Sequence, residues 1–284
     1  MTPNSVIQAA DLAACLGDTD LLVVDCRKDL GDAQAGRAAY AKAHVPGAVY
    51  ADLDVDLSDL GKQGLGRHPL PDAEAFSHVL SRWGWTPATR VVAVDASAGA
   101  LAAARLWWML RLAGARDVAV LDGGFAAWCA NGFATEAGEV TRAPGSVEVR
   151  FDERQIVGYA ELEQGLARGS LLLVDARAAP RFRGEIEPLD ARAGHVPGAV
   201  NRPFAENLGA DGCFKPVALL RAEFSALIGA RPSREVVHMC GSGVTACHNL
   251  LAMEHAGLTG SRVFAPSWSG WISDPARAVA TPTS

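Results

Sequence analysis

The chain has 284 residues, of which 49% are hydrophobic and 20% are charged, and its formal net charge is −6. This length and composition are typical of a globular protein with two domains. The negative charge argues against nucleic acid or an anionic membrane surface as a partner. The longest apolar stretch, residues 101–113, contains Arg105 and Arg111, so it predicts a buried helix rather than a membrane span.

In the first half of the chain, short segments rich in valine and leucine alternate with helical patterns. Strands are predicted at 21–25, 91–95 and 118–121, and helices at 9–16, 73–83, 98–113 and 125–131. Strands that lack polar–apolar alternation are buried on both faces. We therefore expect an α/β fold with a mainly parallel sheet flanked by helices.

The second half of the chain repeats the first. Leu21–Arg27 (LLVVDCR) returns as Leu171–Arg177 (LLLVDAR), and His44–Val49 returns unchanged as His195–Val200 (HVPGAV). The nearly constant spacing of these pairs indicates two copies of one unit rather than a solenoid.

A stretch that loses apolar periodicity and gains Gly, Pro and Thr separates the two copies. We predict an N-terminal domain at 1–137, a linker at 138–149 and a C-terminal domain at 150–284.

The two copies differ where one strand ends. The strand at 91–95 ends on Asp95, whereas the equivalent strand in the second copy is followed by Cys240, a glycine-rich loop and a helix. Gly241 and Gly243 allow backbone N–H groups to turn inward, and the helix adds its positive end, which together make an anion site. Such a site favours a reactive thiolate. The competing interpretation is a small, inert, buried cysteine.

Six scattered cysteines without a CxxC pair argue against zinc, and we expect neither a metal nor a cofactor. Residues 1–16 lack the basic start and cleavage site of a signal peptide. These features predict a cytoplasmic protein with reduced thiols.

The duplicated unit, the HVPGA turn in each half and the loop Cys240–Thr245 (CGSGVT) resemble the two-domain rhodanese-type sulfurtransferases. The loop is similar to that of the 3-mercaptopyruvate branch. This resemblance implies two tandem rhodanese-like domains, of which only the second is catalytic. It also implies transfer of a sulfane sulfur from a small-molecule donor, through a persulfide on Cys240, to a thiol or cyanide. Thioredoxin is a further expected acceptor.

The charge of the loop bears on the sulfur donor. Thiosulfate leaves as sulfite, which a cationic loop stabilises, but no Lys or Arg lies between Cys240 and Asn249. Mercaptopyruvate leaves as pyruvate enolate, which needs a proton. We therefore predict 3-mercaptopyruvate as the main donor. Two alternatives stay open: thiosulfate:cyanide sulfur transfer as the main activity, and a persulfide relay module that loads a partner protein.

The resemblance also implies site residues. Ser242, His68 and Asp54 match a proposed proton relay of the Ser-His-Asp kind. Arg181 is expected to bind the donor carboxylate, because a guanidinium pairs with it in a bidentate manner. The family's second arginine has no match at the expected step, and Arg183 and Arg192 are the candidates to replace it. The remaining predicted substrate-binding residues are Gly241, Gly243, Val244 and Thr245.

A cysteine phosphatase uses a similar loop but needs an arginine six positions after the cysteine. That position is Ala246. Phosphate would lack its main cation here, so the sequence argues against phosphoryl transfer.

Overall fold

Two parallel β-sheets organise the chain, one in each of two units. The computed structural model describes residues 5–29, 31–96 and 99–281. Unit 1 comprises Met1–Asp59, Leu70–Asp152 and Gly209–Phe214, and unit 2 comprises Leu60–Pro69, Glu153–Leu208 and Lys215–Ser284. Segment 60–69 from the first half of the sequence thus belongs to unit 2, and segment 209–214 from the second half belongs to unit 1. The boundaries at 137 and 150 remain a prediction.

Unit 1 contains a five-stranded parallel sheet in the order β1-β5-β4-β2-β3. Its strands are β1 (Val6–Ile7), β2 (Leu21–Asp25), β3 (Val49–Tyr50), β4 (Arg90–Val94) and β5 (Val118–Leu121). Its helices are α1 (Ala9–Cys15), α2 (Ala35–Lys42), α3 (Ala73–Arg82), α4 (Ala102–Leu112) and α5 (Gly124–Ala130). All five residues of β2 are buried, as expected for a strand covered on both faces.

The helix expected at 98–113 begins at Ala102 as α4, and Ala98 itself lies outside the described residues. Every residue of α4 except Arg111 is buried, which agrees with the prediction of a buried helix. Within the described part of the chain, no helix is long and apolar enough to cross a membrane.

Unit 2 contains a four-stranded parallel sheet in the order β7-β6-β8-β9. Its strands are β6 (Leu172–Asp175), β7 (Val200–Asn201), β8 (Val236–Met239) and β9 (Arg262–Val263). Its helices are α6 (Tyr159–Ala167), α7 (Ala179–Phe182), α8 (Val217–Ile228), α9 (Ala246–His255) and α10 (Ser267–Trp271). Both units thus confirm the predicted α/β fold.

The repeated HVPGA turns have the same anchor in both units. His44 Nδ1 lies 2.9 Å from the Tyr40 carbonyl oxygen, and His195 Nδ1 lies 2.8 Å from the Phe182 carbonyl oxygen. Because a carbonyl only accepts, each imidazole donates from Nδ1. These two histidines therefore fix turns in the scaffold.

Candidate active site at the end of strand β8

Cys240 lies directly after β8 and before α9, at the carboxyl edge of the parallel sheet, where ligands of such sheets bind. The Gly243 N–H donates to Cys240 Sγ at a distance of 3.2 Å. Gly243 has φ +82°, and a Cβ on it would lie 2.2 Å from the Ala265 carbonyl oxygen, so only glycine fits. The loop therefore turns at least one N–H towards the sulfur.

The equivalent loop in unit 1 holds a carboxylate. The side chain of Asp95 accepts hydrogen bonds from the N–H groups of Gly99 at 2.9 Å, Leu101 at 3.1 Å and Ala103 at 3.4 Å. In unit 1 this turn of the fold binds an anion, as expected for converging N–H groups at a helix start. Cys240 occupies the matching strand end in unit 2.

The backbone of Cys240 is held from the start of α10. The Cys240 N–H donates to Ser267 Oγ at 3.0 Å, and the Trp268 N–H donates to the Cys240 carbonyl at 3.0 Å. Ser267 has φ +54°, in the left-handed region that favours glycine. In unit 1 the equivalent position is Gly124, with φ +58°. Ser267 thus adopts a glycine conformation, and its hydroxyl bonds to the residue that carries the sulfur. Ser267 was not among the predicted site residues.

Ser242 and His68 lie together. His68 Nδ1 is 2.8 Å from Ser242 Oγ, a hydrogen bond that joins residues 174 positions apart. Both residues belong to unit 2, although His68 precedes the predicted domain boundary by a wide margin. Two of the three predicted relay residues therefore meet beside the cysteine loop.

The segment Leu60–Pro69 is fixed against α10, and this positions His68. Gly66 has φ +89°, and a Cβ on it would lie 2.4 Å from the Pro266 carbonyl oxygen. The N–H of the next residue, Arg67, donates to Ser269 Oγ at 3.0 Å.

Asp54, the third predicted relay residue, lies in unit 1. Its carboxylate accepts from Lys28 Nζ at 2.5 Å, and its side chain is 28% exposed. The role of Asp54 in the relay stays a prediction.

Two arginines reach the loop at Gly241. A methyl group placed on Gly241 would lie 3.0 Å from Arg67 Nη2 and 3.5 Å from Arg181 Nη1. Arg181 was expected near the substrate; Arg67 was not, because its segment lies far from the loop in sequence. The carboxylate of Asp190 pairs with both guanidiniums.

The two arginines that were considered as replacements have other partners. Arg183 pairs with Glu185 at 2.6 Å, and both side chains are exposed. Arg192 Nη1 lies 3.4 Å from the Arg277 carbonyl oxygen. The structure gives no support for either as the second arginine of the loop.

The remaining loop residues lie where the sequence places them. Val244 is buried and Thr245 directly precedes α9, but the Thr245 side chain makes no capping hydrogen bond. Cys247 is fully buried, and its Sγ donates to the Gly243 carbonyl at 3.4 Å. Cys247 is therefore part of the core under the loop.

A cavity of about 680 Å³ lies in unit 1. Charged and aromatic side chains line it, among them Arg37, Tyr50, Asp56 and Arg82, but neither a cysteine nor a histidine does. Among the described residues, no group of three or more His, Cys, Asp or Glu side chains is arranged to hold a metal ion. The lining of this cavity therefore offers no thiol or imidazole nucleophile.

The two α/β units share the strand order β3-β2-β4-β5 and β7-β6-β8-β9, and only the second has a thiol at the matching strand end, so the chain has two tandem domains with a candidate nucleophile in the second. The family model of the rhodanese-like domain matches residues 8–131 and 159–274. The chain belongs to the rhodanese family.

Relatives match nearly the whole chain. A Pseudomonas aeruginosa protein, provisionally named 3-mercaptopyruvate sulfurtransferase, is 48% identical over 283 residues, 99% of each chain. A Mycobacterium tuberculosis protein, provisionally named thiosulfate sulfurtransferase SseB, is 39% identical over 96% of each chain. The solved structure of SseA from Escherichia coli, a 3-mercaptopyruvate enzyme, is 31% identical with a TM-score of 0.81, over 94% of this chain and 99% of that one. With this fold and these relatives, the chain is a sulfurtransferase.

Proposed function

We propose that the chain transfers a sulfane sulfur from 3-mercaptopyruvate to a thiol or cyanide through a persulfide on Cys240. The observation that carries this proposal is the Gly243 N–H directed at Cys240 Sγ at 3.2 Å. The same turn in unit 1 holds a carboxylate, which supports an anion-binding role for the loop. N–H groups that bind an anion stabilise both the thiolate and the persulfide formed from it.

In the first half-reaction, the Cys240 thiolate attacks the sulfur of 3-mercaptopyruvate. The S–S bond forms as the C–S bond breaks, and the electron pair of the C–S bond goes to carbon. The proton of the donor thiol ends on the resulting enolate, which gives pyruvate and the Cys240 persulfide anion. Atoms and charge balance without an external oxidant or reductant.

The enolate must be protonated at the carbon that carried the sulfur. In this proposal, Ser242 and His68 deliver that proton. Their hydrogen bond of 2.8 Å provides a route for a proton between solvent, imidazole and hydroxyl. As a further part of the proposal, Asp54 acts as the third member and orients His68. Arg181 binds the donor carboxylate, and Val244 and Thr245 complete the wall of the loop.

In the second half-reaction, an acceptor thiolate attacks the outer sulfur, and the electron pair of the S–S bond returns to Cys240. Cyanide takes the sulfur as thiocyanate. A dithiol such as thioredoxin takes it on one thiol and then releases it as sulfide when its second thiol closes a disulfide. No disulfide joins the six cysteines, all of which lie in the described part of the chain, and reduced thiols are what the proposed cytoplasmic location would maintain.

Thiosulfate is the second candidate donor. The loop has no Lys or Arg of its own, but Arg67 and Arg181 approach Gly241 from other segments. The cations available to sulfite therefore include two arginines from outside the loop, whereas the donor prediction considered the charges of loop residues alone.

The test is a comparison of kcat/KM for the two donors with one acceptor, on wild type and Cys240→Ser. The proposal expects a higher value for 3-mercaptopyruvate and no sulfur transfer by the variant. A higher value for thiosulfate would reverse the donor assignment, and an active variant would overturn the proposal.

A further inference from the structure

Asp190 bridges the two arginines beside the nucleophile. Its Oδ2 lies 3.1 Å from Arg181 Nη2, and its Oδ1 accepts from Arg67 Nη1. The Asp190 side chain is only 4% exposed, whereas that of Arg67 is 33% exposed. A buried carboxylate thus orients two guanidiniums, one of which is open to solvent.

The bridge leaves one side of each guanidinium unused. Arg181 uses Nε and Nη2 for Glu187 and Asp190, and Arg67 uses Nη1 for Asp190. In the described part of the chain, no hydrogen bond involves Arg181 Nη1 or Arg67 Nη2. These are the two atoms nearest to a Cβ placed on Gly241, with Arg181 Nη1 at 3.5 Å and Arg67 Nη2 at 3.0 Å. Both atoms can donate to an anion bound next to Cys240.

The net charge around this subsite is close to zero. The bridge belongs to a network of three arginines and three carboxylates, linked by ion pairs of at most 3.4 Å. Its members are Arg67, Arg177, Arg181, Asp175, Glu187 and Asp190. A subsite with directed N–H donors but little net charge suits a carboxylate with one charge better than thiosulfate with two, because each added negative charge faces Asp190 and Glu187.

We infer that Arg67, with Arg181, binds the anionic group of the sulfur donor, and that Asp190 is a positioning residue which sets the charge preference of this subsite. This inference rests on the proposed function and extends it: Arg67 supplies the second guanidinium that neither Arg183 nor Arg192 provides. The donor class is a thiol-bearing 2-oxo acid with one carboxylate.

Arg67→Gln tests the binding role. It removes one charge-assisted contact to the donor, so KM for 3-mercaptopyruvate rises about ten- to hundredfold with a smaller change in kcat. Arg67→Lys keeps the positive charge but lacks the planar, bidentate geometry of a guanidinium. Its KM should therefore lie between those of wild type and Arg67→Gln. Arg183→Gln, at the exposed Arg183–Glu185 pair, is the matched control and leaves KM unchanged. An unchanged KM in Arg67→Gln overturns the binding role.

Asp190→Asn tests the charge preference. It keeps the size of the side chain but adds one unit of positive charge to the subsite, so the thiosulfate-to-mercaptopyruvate ratio of kcat/KM rises about tenfold. If Asp190 has a purely structural role, the variant lowers kcat/KM for both donors equally and the ratio stays unchanged. That result would overturn the role of Asp190 in setting the charge preference. Thermal unfolding of each variant shows that the altered kinetics come from folded protein.

The outcomes also separate this inference from the proposed function. If neither donor loads Cys240 of wild type, the proposed function fails. If wild type turns over 3-mercaptopyruvate and Arg67→Gln does so with the same KM, only the inference fails.

Discussion

His68 Nδ1 lies 2.8 Å from Ser242 Oγ, two residues after Cys240. In the proposed mechanism, this pair carries a proton to the enolate carbon of the donor. Sulfur transfer from 3-mercaptopyruvate needs such a transfer to carbon, whereas release of sulfite from thiosulfate does not.

His68→Ala therefore slows turnover of 3-mercaptopyruvate about a hundredfold, the usual contribution of a positioned acid–base group, and slows thiosulfate turnover less. Steady-state kinetics with both donors measure the difference. Ser242→Ala should show the same selectivity, because it removes the other half of the hydrogen bond. Equal losses with both donors would exclude a proton relay through His68.

Cys240 in the loop and Cys247 in α9 are both buried, so the same substitution at the two positions is a controlled comparison. Cys240→Ser abolishes sulfur transfer because serine forms no persulfide, whereas Cys247→Ser retains most of the activity because Cys247 is buried under the loop, where its Sγ donates to the Gly243 carbonyl. Assays with cyanide as acceptor make the comparison. Loss of activity in Cys247→Ser with an unchanged unfolding temperature would point instead to a resolving thiol.

Ser267 combines a left-handed φ of +54° with a hydrogen bond from the Cys240 N–H at 3.0 Å. Ser267→Ala loses the hydroxyl and keeps the unfavourable φ, so the free energy of unfolding falls by about 1–3 kcal/mol. Ser267→Gly also loses the hydroxyl, but glycine adopts this φ freely, so its loss is smaller. Urea unfolding of the two variants measures the difference. Identical losses would show that strain at this position is unimportant.

His238, on β8, is fully buried, and burial lowers its pKa to about 3. In the unfolded chain its pKa is about 6.5, so between these values the unfolded chain binds more protons and stability falls as the pH is lowered. From pH 7 to pH 5 this group alone removes about 2 kcal/mol.

His238→Gln cannot take up this proton, and its stability should depend less on pH than that of wild type. Urea unfolding at pH 7 and pH 5 for both proteins provides the measurement. Parallel losses in the two proteins would mean that other groups cause the acid sensitivity.

Features that depend on local sequence could be predicted. Strands β2 and β5 have the predicted bounds because buried valine-rich runs leave few alternatives. The cysteine loop was recognisable because Gly241 and Gly243 lie next to the nucleophile. Helix α2 was missed, since only Gly36 and Tyr40 of its residues are buried and its apolar pattern is therefore weak.

Features that depend on distant contacts could not be predicted from local patterns, and the contact of Ser242 with His68 was expected only through the family resemblance. Arg67 meets Asp190 and Ser269 at separations of 123 and 202 residues, and no local pattern marks such pairs. The segment 60–69 groups with unit 2, although composition carries no signal for this exchange. The sequence around Ser267 does not predict its left-handed φ either. The one indication is that unit 1 has Gly124 at the equivalent position.

Mass spectrometry of the protein after exposure to 3-mercaptopyruvate tests the central claim most directly. We predict one added sulfur on the peptide that contains Cys240, which cyanide removes and which Cys240→Ser lacks. Turnover of the donor without any added sulfur on Cys240, or with the sulfur on another cysteine, would contradict it.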